Sequence, residues 1–311
     1  MTDDGTAFAD ATEADVRDAL DAQDYVADDD LVTTVLLALR LGKPLLVEGE
    51  PGAGKTELAK ALAAGFGTEL VRLQCYEGLT AESALYEWNY TKQLLAVQAG
   101  DGEADVFTED YLLERPLLRA LDTDAGDDPP VLLIDEVDRA DEAFEALLLE
   151  VLSDFQVSVP ELGTVEAAVP PIVVVTSNRT RGLSDALKRR CLYLHVEAPS
   201  VEKEREILAR KVPALDAAVA DELGGAASRL REEPLRKPPG AAETIDWARA
   251  VATLRAGENG DDPLSADEVR RTLGTLLKEV EDAERVRDDD GLVEELLAAA
   301  RDAREAATPP E

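Results

Sequence analysis

The stretch "VEGEPGAGKTELAKALAAG", Val47 to Gly65, decides how the rest of the chain is read. Gly49, Glu50, Pro51, Gly52, Ala53, Gly54, Lys55 and Thr56 match the spacing GxxxxGK[ST], which chance supplies in only about one chain in a hundred of this length. The apolar run Leu45–Val47 stands just before it, and Leu58, Ala59 and Leu62 recur on one helical face just after it. A strand, a glycine loop and a helix in that order cradle a phosphate. The glycines let the backbone wrap an anion, successive N–H groups point inward, and the helix N-terminus adds its positive end. Lys55 is then placed to reach the β- and γ-phosphates of ATP, and Thr56 to coordinate Mg²⁺. A Gly-rich turn with an incidental lysine would leave the flanking strand and helix unexplained.

Outward from this loop, short apolar runs alternate with helical patterns from Pro44 to about Ala198: "PLLVEG", "ELVRLQ", "VLLIDE", "IVVVTSN" and "CLYLHV". Continuous Val, Leu and Ile mark strands buried on both faces, hence a parallel sheet covered by helices. "PPVLLIDEVDRADEAF" sets Asp135 and Glu136 at the carboxyl end of such a strand, where α/β sheets bind ligands. Two acids there are costly without a cation. Asp135 suits the Mg²⁺ shell, and Glu136 could orient and deprotonate a water attacking the γ-phosphate. Phe144, Leu147, Leu148, Val151, Leu152 and Phe155 then repeat as a core-facing helix stripe. In "QVSVPELGTVEAAVPP", alternating Val157 and Val159, a turn at Gly163 and Val165 predict a hairpin. Asn178 closes the next buried strand, where it either holds the attacking water or serves as turn chemistry.

After "EAPS" the pattern is helical to the end. Ser200 can cap "VEKEREILARKV", and Ser265 with Glu268 forms a capping box opening "ADEVRRTLGTLLKEVEDAERV" as one helix. The expected division is an acidic tail or weak helix over 1–27, an α/β nucleotide-binding domain over 28–198, a smaller all-helical domain over 199–287, and an acidic helix or tail over 288–311. "DTDAGDDPP" and "RKPPG" read as loops.

Composition narrows the function classes. Of 311 residues, 67 are Asp or Glu and 32 Lys or Arg, a net charge of −35 with pI near 4.3. Acids spread along the whole chain, with Arg outnumbering Lys, look like a proteome adapted to high salt, as in haloarchaea. In molar salt the Debye length falls to about 3 Å and self-repulsion is screened. No basic stripe with interleaved aromatics appears, which argues against a nucleic-acid partner. Cys75 and Cys191 stand far apart and His195 is the sole histidine, so no metal-ligand spacing or disulfide framework exists. The N-terminus lacks the basic and apolar regions of a signal peptide, and no apolar run approaches a membrane span, so the expectation is a cytoplasmic protein.

One stretch breaks the acidic pattern: "SNRTRGLSDALKRRC", Ser177 to Cys191, carries five cations and one acid. With "GEPGAGKT", "LLIDEVDRA", the hairpin and "VVVTSNRT…DALKRRC" in this order, the chain resembles the AAA+ ATPases of the MoxR branch. "PELGT", "SNRTRGLSDALKRRCLY" and "PPGAAETIDWARAV" look most like the accessory ATPases of carbon monoxide dehydrogenase maturation, the CoxD-type group. The resemblance runs over roughly residues 28 to 285. It implies a P-loop α/β domain with a helical lid, assembled as a homo-oligomeric ring, a hexamer, that hydrolyses ATP to remodel a protein. It also implies a von Willebrand factor A domain partner and a metalloenzyme client such as a molybdenum hydroxylase.

By the same resemblance Asn178 matches sensor 1, and Arg190 matches an arginine finger entering the neighbouring subunit's site, with Arg189 as the adjacent candidate. A planar guanidinium suits that role; a solvated helix end, where cations offset the negative dipole, is the other reading. The family's sensor 2 arginine is missing where "PPGAAETIDW" places Glu243 or a neighbour, so that role stays unassigned, with Arg236 or Lys237 just upstream as substitutes. Trp247 reads as core. Two competing functions are a nucleic-acid-acting AAA+ motor subunit and a nucleotide-gated scaffold without turnover; intact Glu136, Asn178 and Arg190 argue against the second.

Overall fold

Every one of the five apolar runs becomes a strand, and the five lie side by side in one sheet in the order Leu70–Gln74 (β2), Val131–Asp135 (β5), Ile172–Ser177 (β8), Leu45–Gly49 (β1) and Leu192–Val196 (β9). A computed structural model of the chain describes residues 7–98, 111–124, 126–159, 163–256 and 261–307. Residues 160–162 of "PELGT", position 125 of "DTDAGDDPP", and the extreme ends of the two expected acidic tails lie outside the described residues. The chain divides into two compact units, residues 1–49 with 55–195, and residues 50–54 with 196–311.

In the first unit, α1 (Glu13–Asp21) and α2 (Asp29–Leu41) lead to β1 (Leu45–Gly49), α3 (Lys55–Phe66) and β2 (Leu70–Gln74). Next come α4 (Ala81–Leu85), β3 (Tyr86–Trp88), α5 (Tyr90–Gln98), β4 (Leu112–Glu114) and α6 (Pro116–Leu121). β5 (Val131–Asp135), α7 (Glu142–Asp154), β6 (Gln156–Val159), β7 (Gly163–Glu166), β8 (Ile172–Ser177), α8 (Asp185–Arg190) and β9 (Leu192–Val196) complete it. β1, β5 and β8 are buried almost throughout because crossover helices cover both faces of a parallel sheet. Each buried Val or Leu contributes roughly 1.5–3 kcal/mol relative to exposure. β2 alternates buried Val71 and Leu73 with exposed Arg72 and Gln74, as suits the sheet edge.

The parallel register matters more for function than the layers do. Gln74 stands opposite Asp135, Ile134 opposite Val175, and Glu48 opposite Ser177. The carboxyl ends of β2, β5, β8 and β1 therefore finish level, along one edge of the sheet.

Three local features refine or depart from what the sequence predicts. The N-terminal stretch, expected as a tail or weak helix, forms α1 through a Thr12–Asp15 capping box, with Val16, Ala19 and Leu20 buried. Gly65 of α3 makes room for it, since a Cβ there would meet the Ala19 carbonyl oxygen at 2.2 Å. In the expected hairpin, β6 pairs antiparallel with β7, but Gly163 (φ +92°) begins the second strand, opposite Val159. β3 and β4, three residues each and antiparallel, are too short to leave a period-2 signal.

The second unit carries α9 (Val201–Lys211), α10 (Ala217–Arg231), α11 (Ala241–Leu254), α12 (Ala266–Leu276), α13 (Val280–Asp288) and α14 (Asp290–Ala307). Ser200 caps α9 and the Ser265–Glu268 capping box opens α12. The expected single helix from Ala266 onward is broken in two. Leu277 turns extended (φ −103°, ψ 126°), which lets Leu276 and Leu277 both bury, at 1% and 3% exposure. Beyond the break, the Asp282 carboxylate accepts from the Arg236 and Lys237 N–H groups, tying α13 to the "RKPPG" loop. Trp247 lies in this unit's core, its indole N–H donating to Thr272 Oγ1 at 2.6 Å.

Candidate active site

The loop Glu50–Gly54 follows β1, and its backbone explains two of its glycines. Gly52 (φ +84°) and Gly54 (φ +91°) occupy the left-handed region that strains other residues. A Cβ on Gly52 would also stand 3.2 Å from Gly240 Cα and from Glu243 Oε2. Lys55 opens α3, buried to 6%, with its Nζ donating to the Gly49 carbonyl at 2.8 Å.

Asp135, only 2% exposed, gathers the strand ends. Its Oδ1 accepts from Thr56 Oγ1 at 3.0 Å and from Thr176 Oγ1 at 2.6 Å. Its Oδ2 accepts from Arg72 Nε at 3.1 Å and Nη2 at 2.5 Å. The register on either side of β5 brings Arg72 and Thr176 to it. Glu136 follows in a left-handed conformation (φ 56°, ψ 49°), which costs a residue with a Cβ roughly 1–2 kcal/mol. That turn is held because Thr176 Oγ1 accepts the Glu136 N–H at 2.9 Å. The Glu136 carboxylate, at the end of the buried strand, accepts from Gln74 Nε2 at 3.0 Å and Asn178 Nδ2 at 3.2 Å and pairs with Arg139 Nε at 3.0 Å.

Asn178 owes its position to a third acid. Buried Asp138 accepts from the Asn178 N–H at 3.1 Å, the Thr180 N–H at 2.9 Å and the Thr180 hydroxyl at 2.5 Å. Burial pushes the Asp138 carboxyl up, but the Thr180 and Asn178 hydrogen bonds outweigh it and leave the pKa lowered. The nearby Cys75 thiol is pushed up to about 12, first by burial and then by Asp135, Asp138 and Glu136.

Lys55, Thr56, Asp135, Glu136 and Asn178 stand at successive element ends, and the structure adds Arg72, Gln74, Thr176 and Asp138, which the motifs do not single out. A signal for two of these was present. In "ELVRLQ" the apolar residues alternate with Arg72 and Gln74, the mark of a strand with one polar face, ending level with Asp135.

The basic cluster divides. Arg179 (φ +60°) lies 3.7 Å from Glu48, whose carboxylate also accepts from Tyr193 Oη at 3.2 Å. Arg181 pairs with buried Glu145 at 2.5 Å, and Glu145 also accepts the Ser184 N–H. These two cations meet carboxylates of their own chain. Lys188, Arg189 and Arg190 remain exposed on the last turn of α8; Arg190 Nε donates to Ser153 Oγ at 2.8 Å. Among the described residues, Lys188 and Arg189 make no ion pair. Of the sensor 2 substitutes, Arg236 pairs with Glu281 at 2.8 Å and Lys237 Nζ lies 3.9 Å from Glu243.

Oxygen donors alone, the Thr56 hydroxyl and the Asp135 carboxylate, meet at 3.0 Å, a set that suits a hard cation such as Mg²⁺. Among the described residues no group of three or more His, Cys, Asp or Glu could hold a metal ion, and no helix is long and apolar enough to cross a membrane.

Residues 44–191, a little under half the chain, match the family model of the AAA domain (dynein-related subfamily). The fold is that of the P-loop AAA+ proteins. A RuvB mutant of Thermotoga maritima has this fold too, with a TM-score of 0.51 over 83% of this chain and 72% of that one; at 20% identity the likeness concerns the fold alone. An uncharacterised protein of Staphylococcus aureus (strain bovine RF122 / ET3-1) is 29% identical over 164 residues, 50% of this chain and 56% of the relative. One of Staphylococcus haemolyticus (strain JCSC1435) is 27% identical over 207 residues, 64% of this chain and 73% of the relative. This chain thus spans little more than half the length of the S. aureus relative.

Proposed function

We propose that this AAA+ protein binds ATP with Mg²⁺ at the carboxyl edge of its sheet and hydrolyses it to ADP and phosphate. The observation that carries the reading is the continuous network from Thr56 through Asp135 and Thr176 to Glu136 and Asn178. In it, the phosphate-loop threonine, the cation carboxylate, the candidate base and the strand-end amide hold one another. Gly49 to Thr56 would enclose the phosphates with backbone N–H groups, and Lys55 Nζ would turn from the Gly49 carbonyl to phosphate oxygens. Thr56 and Asp135 would hold Mg²⁺, which supplies neutralisation of phosphate charge. Glu136 would accept a proton from the attacking water, and the Asn178 amide would position that water and the carboxylate.

The finer reading is a MoxR-branch, CoxD-type ATPase of the cytoplasm, working as a hexameric ring at high salt with a von Willebrand factor A domain partner. The client would be a metalloenzyme under maturation, such as a molybdenum hydroxylase. The motifs quoted from "PELGT" and "PPGAAETIDWARAV" support the branch, and the net charge of −35 supports the salt habit.

Phosphate release tests the chemistry. Lys55→Ala should lose nucleotide binding. Glu136→Gln should bind Mg²⁺-ATP as wild type does and turn it over at least about 10²-fold more slowly. Near wild-type turnover in Glu136→Gln would remove the base assignment. Copurification from the native host, with and without the neighbouring genes, tests the partners.

A further inference from the structure

Asp135 carries a charge into a site with 2% exposure, and the cation nearest to it belongs to neither the phosphate loop nor its own strand. It is Arg72, from β2. Both hydroxyl donors, Thr56 and Thr176, take Oδ1, so Oδ2 is the oxygen left for a cation, and the Arg72 guanidinium occupies it through Nε and Nη2. The same Nη2 donates to Gln74 Oε1 at 2.6 Å, while Gln74 Nε2 donates to Glu136. One guanidinium thus reaches both acids of the site, Asp135 directly and Glu136 through an amide.

The two ends of this ion pair are unequal. The Asp135 side chain is 3% exposed and the Arg72 side chain 48%. A buried carboxylate needs a positive partner, whereas a half-exposed arginine loses little by turning to water.

We propose that Arg72 is a positioning residue that competes with the divalent cation for Asp135 Oδ2, the oxygen its guanidinium engages, and must yield it for the cation to bind there. This rests on the reading of Asp135 as the cation-holding carboxylate. Arg72 then sets how tightly the cation binds, because the cation must displace a guanidinium. Its departure also takes Nη2 from Gln74 Oε1, which loosens the amide that restrains Glu136. Glu136 is then freest when Asp135 Oδ2 is held by the cation and not by Arg72.

Mn²⁺ binding measured by electron paramagnetic resonance, on the full chain with saturating ADP in molar KCl, tests this without turnover. Arg72→Gln should bind Mn²⁺ about 3- to 10-fold more tightly than wild type, since the competing charge is gone. Arg72→Lys keeps the charge without the planar fork and should fall between the two, which also guards against a folding artefact. Asp135→Asn should weaken Mn²⁺ binding at least about 10-fold. If Asp135→Asn weakens binding while Arg72→Gln is unchanged or weaker than wild type, the competing role is overturned and the site reading survives. If Asp135→Asn leaves Mn²⁺ affinity unchanged, the cation assignment falls and this inference falls with it.

Discussion

Thr176→Val is the most informative single perturbation of the network. Its hydroxyl, 1% exposed, donates to Asp135 Oδ1 at 2.6 Å and accepts the Glu136 N–H at 2.9 Å. Valine fills nearly the same volume, so no cavity complicates the result. A hydrogen bond to a charged acceptor contributes about 1.5–3 kcal/mol, and a buried N–H left without a partner costs about 1–3 kcal/mol. Asp135 keeps Thr56 and Arg72, so the first loss should sit at its lower end. The second falls on Glu136, whose left-handed turn loses the contact that holds it. A destabilisation of about 2.5–4.5 kcal/mol follows, or a urea midpoint lower by roughly 0.8–1.5 M for an m-value near 3 kcal/mol/M. Urea unfolding followed by circular dichroism in molar KCl measures it, fitted with a separate transition for each compact unit. Thr176→Ser retains the hydroxyl and should cost under about 1.5 kcal/mol. If Thr176→Val lies within about 0.5 kcal/mol of wild type, the hydroxyl does not link the two acids, and the network argument for the site fails.

Three other outcomes are expected. Arg190→Ala and Lys55→Ala should each be inactive, yet a mixture with subunit exchange should regain phosphate release, because some interfaces would pair an intact phosphate loop with an intact finger; a dead mixture of demonstrably exchanging subunits, or full activity in Arg190→Ala alone, refutes the finger, and Arg189→Ala should lose less. Melting temperature at fixed nucleotide should rise from dilute to molar KCl as repulsion at −35 is screened, and a flat or falling curve removes the high-salt reading. Burial raises the Glu268 carboxyl, but Arg255 and Ser265 bind it and hold it down to about 2, from 4.5. Depressed in the folded state, this group stabilises above pH about 4.5 and loses that contribution as pH falls toward about 2. Trp247 fluorescence should report a shallower acid transition in Glu268→Gln, and an identical acid profile refutes the assignment.

How far sequence alone reaches is clearest at two neighbouring residues of β2 and β5. Asp135 was legible because its chemistry is local: an apolar run ending in two acids, some 80 positions after a glycine loop, has few other uses. The same holds for Lys55 and Thr56, and for the strands, whose unbroken Val and Leu runs report burial on both faces. Helix starts with a side-chain cap were equally plain at Ser200 and Ser265. For Arg72 the alternation in "ELVRLQ" showed a polar strand face, but not that this face belongs to the site. What makes it part of the site is the parallel register that sets Gln74 beside Asp135, and register is a property of paired strands that no single segment contains. Thr176 and Asp138 are of the same kind, polar residues whose partners lie 40 or more positions away. The break at Leu277 belongs there too, since the helical pattern continues across it and only the need to bury two successive leucines in one core turns the chain aside. The basic cluster shows both sides at once. Its sequence announced positive charge, but only tertiary packing, by pairing Arg179 with Glu48 and Arg181 with Glu145, leaves the α8 cations without a carboxylate partner among the described residues.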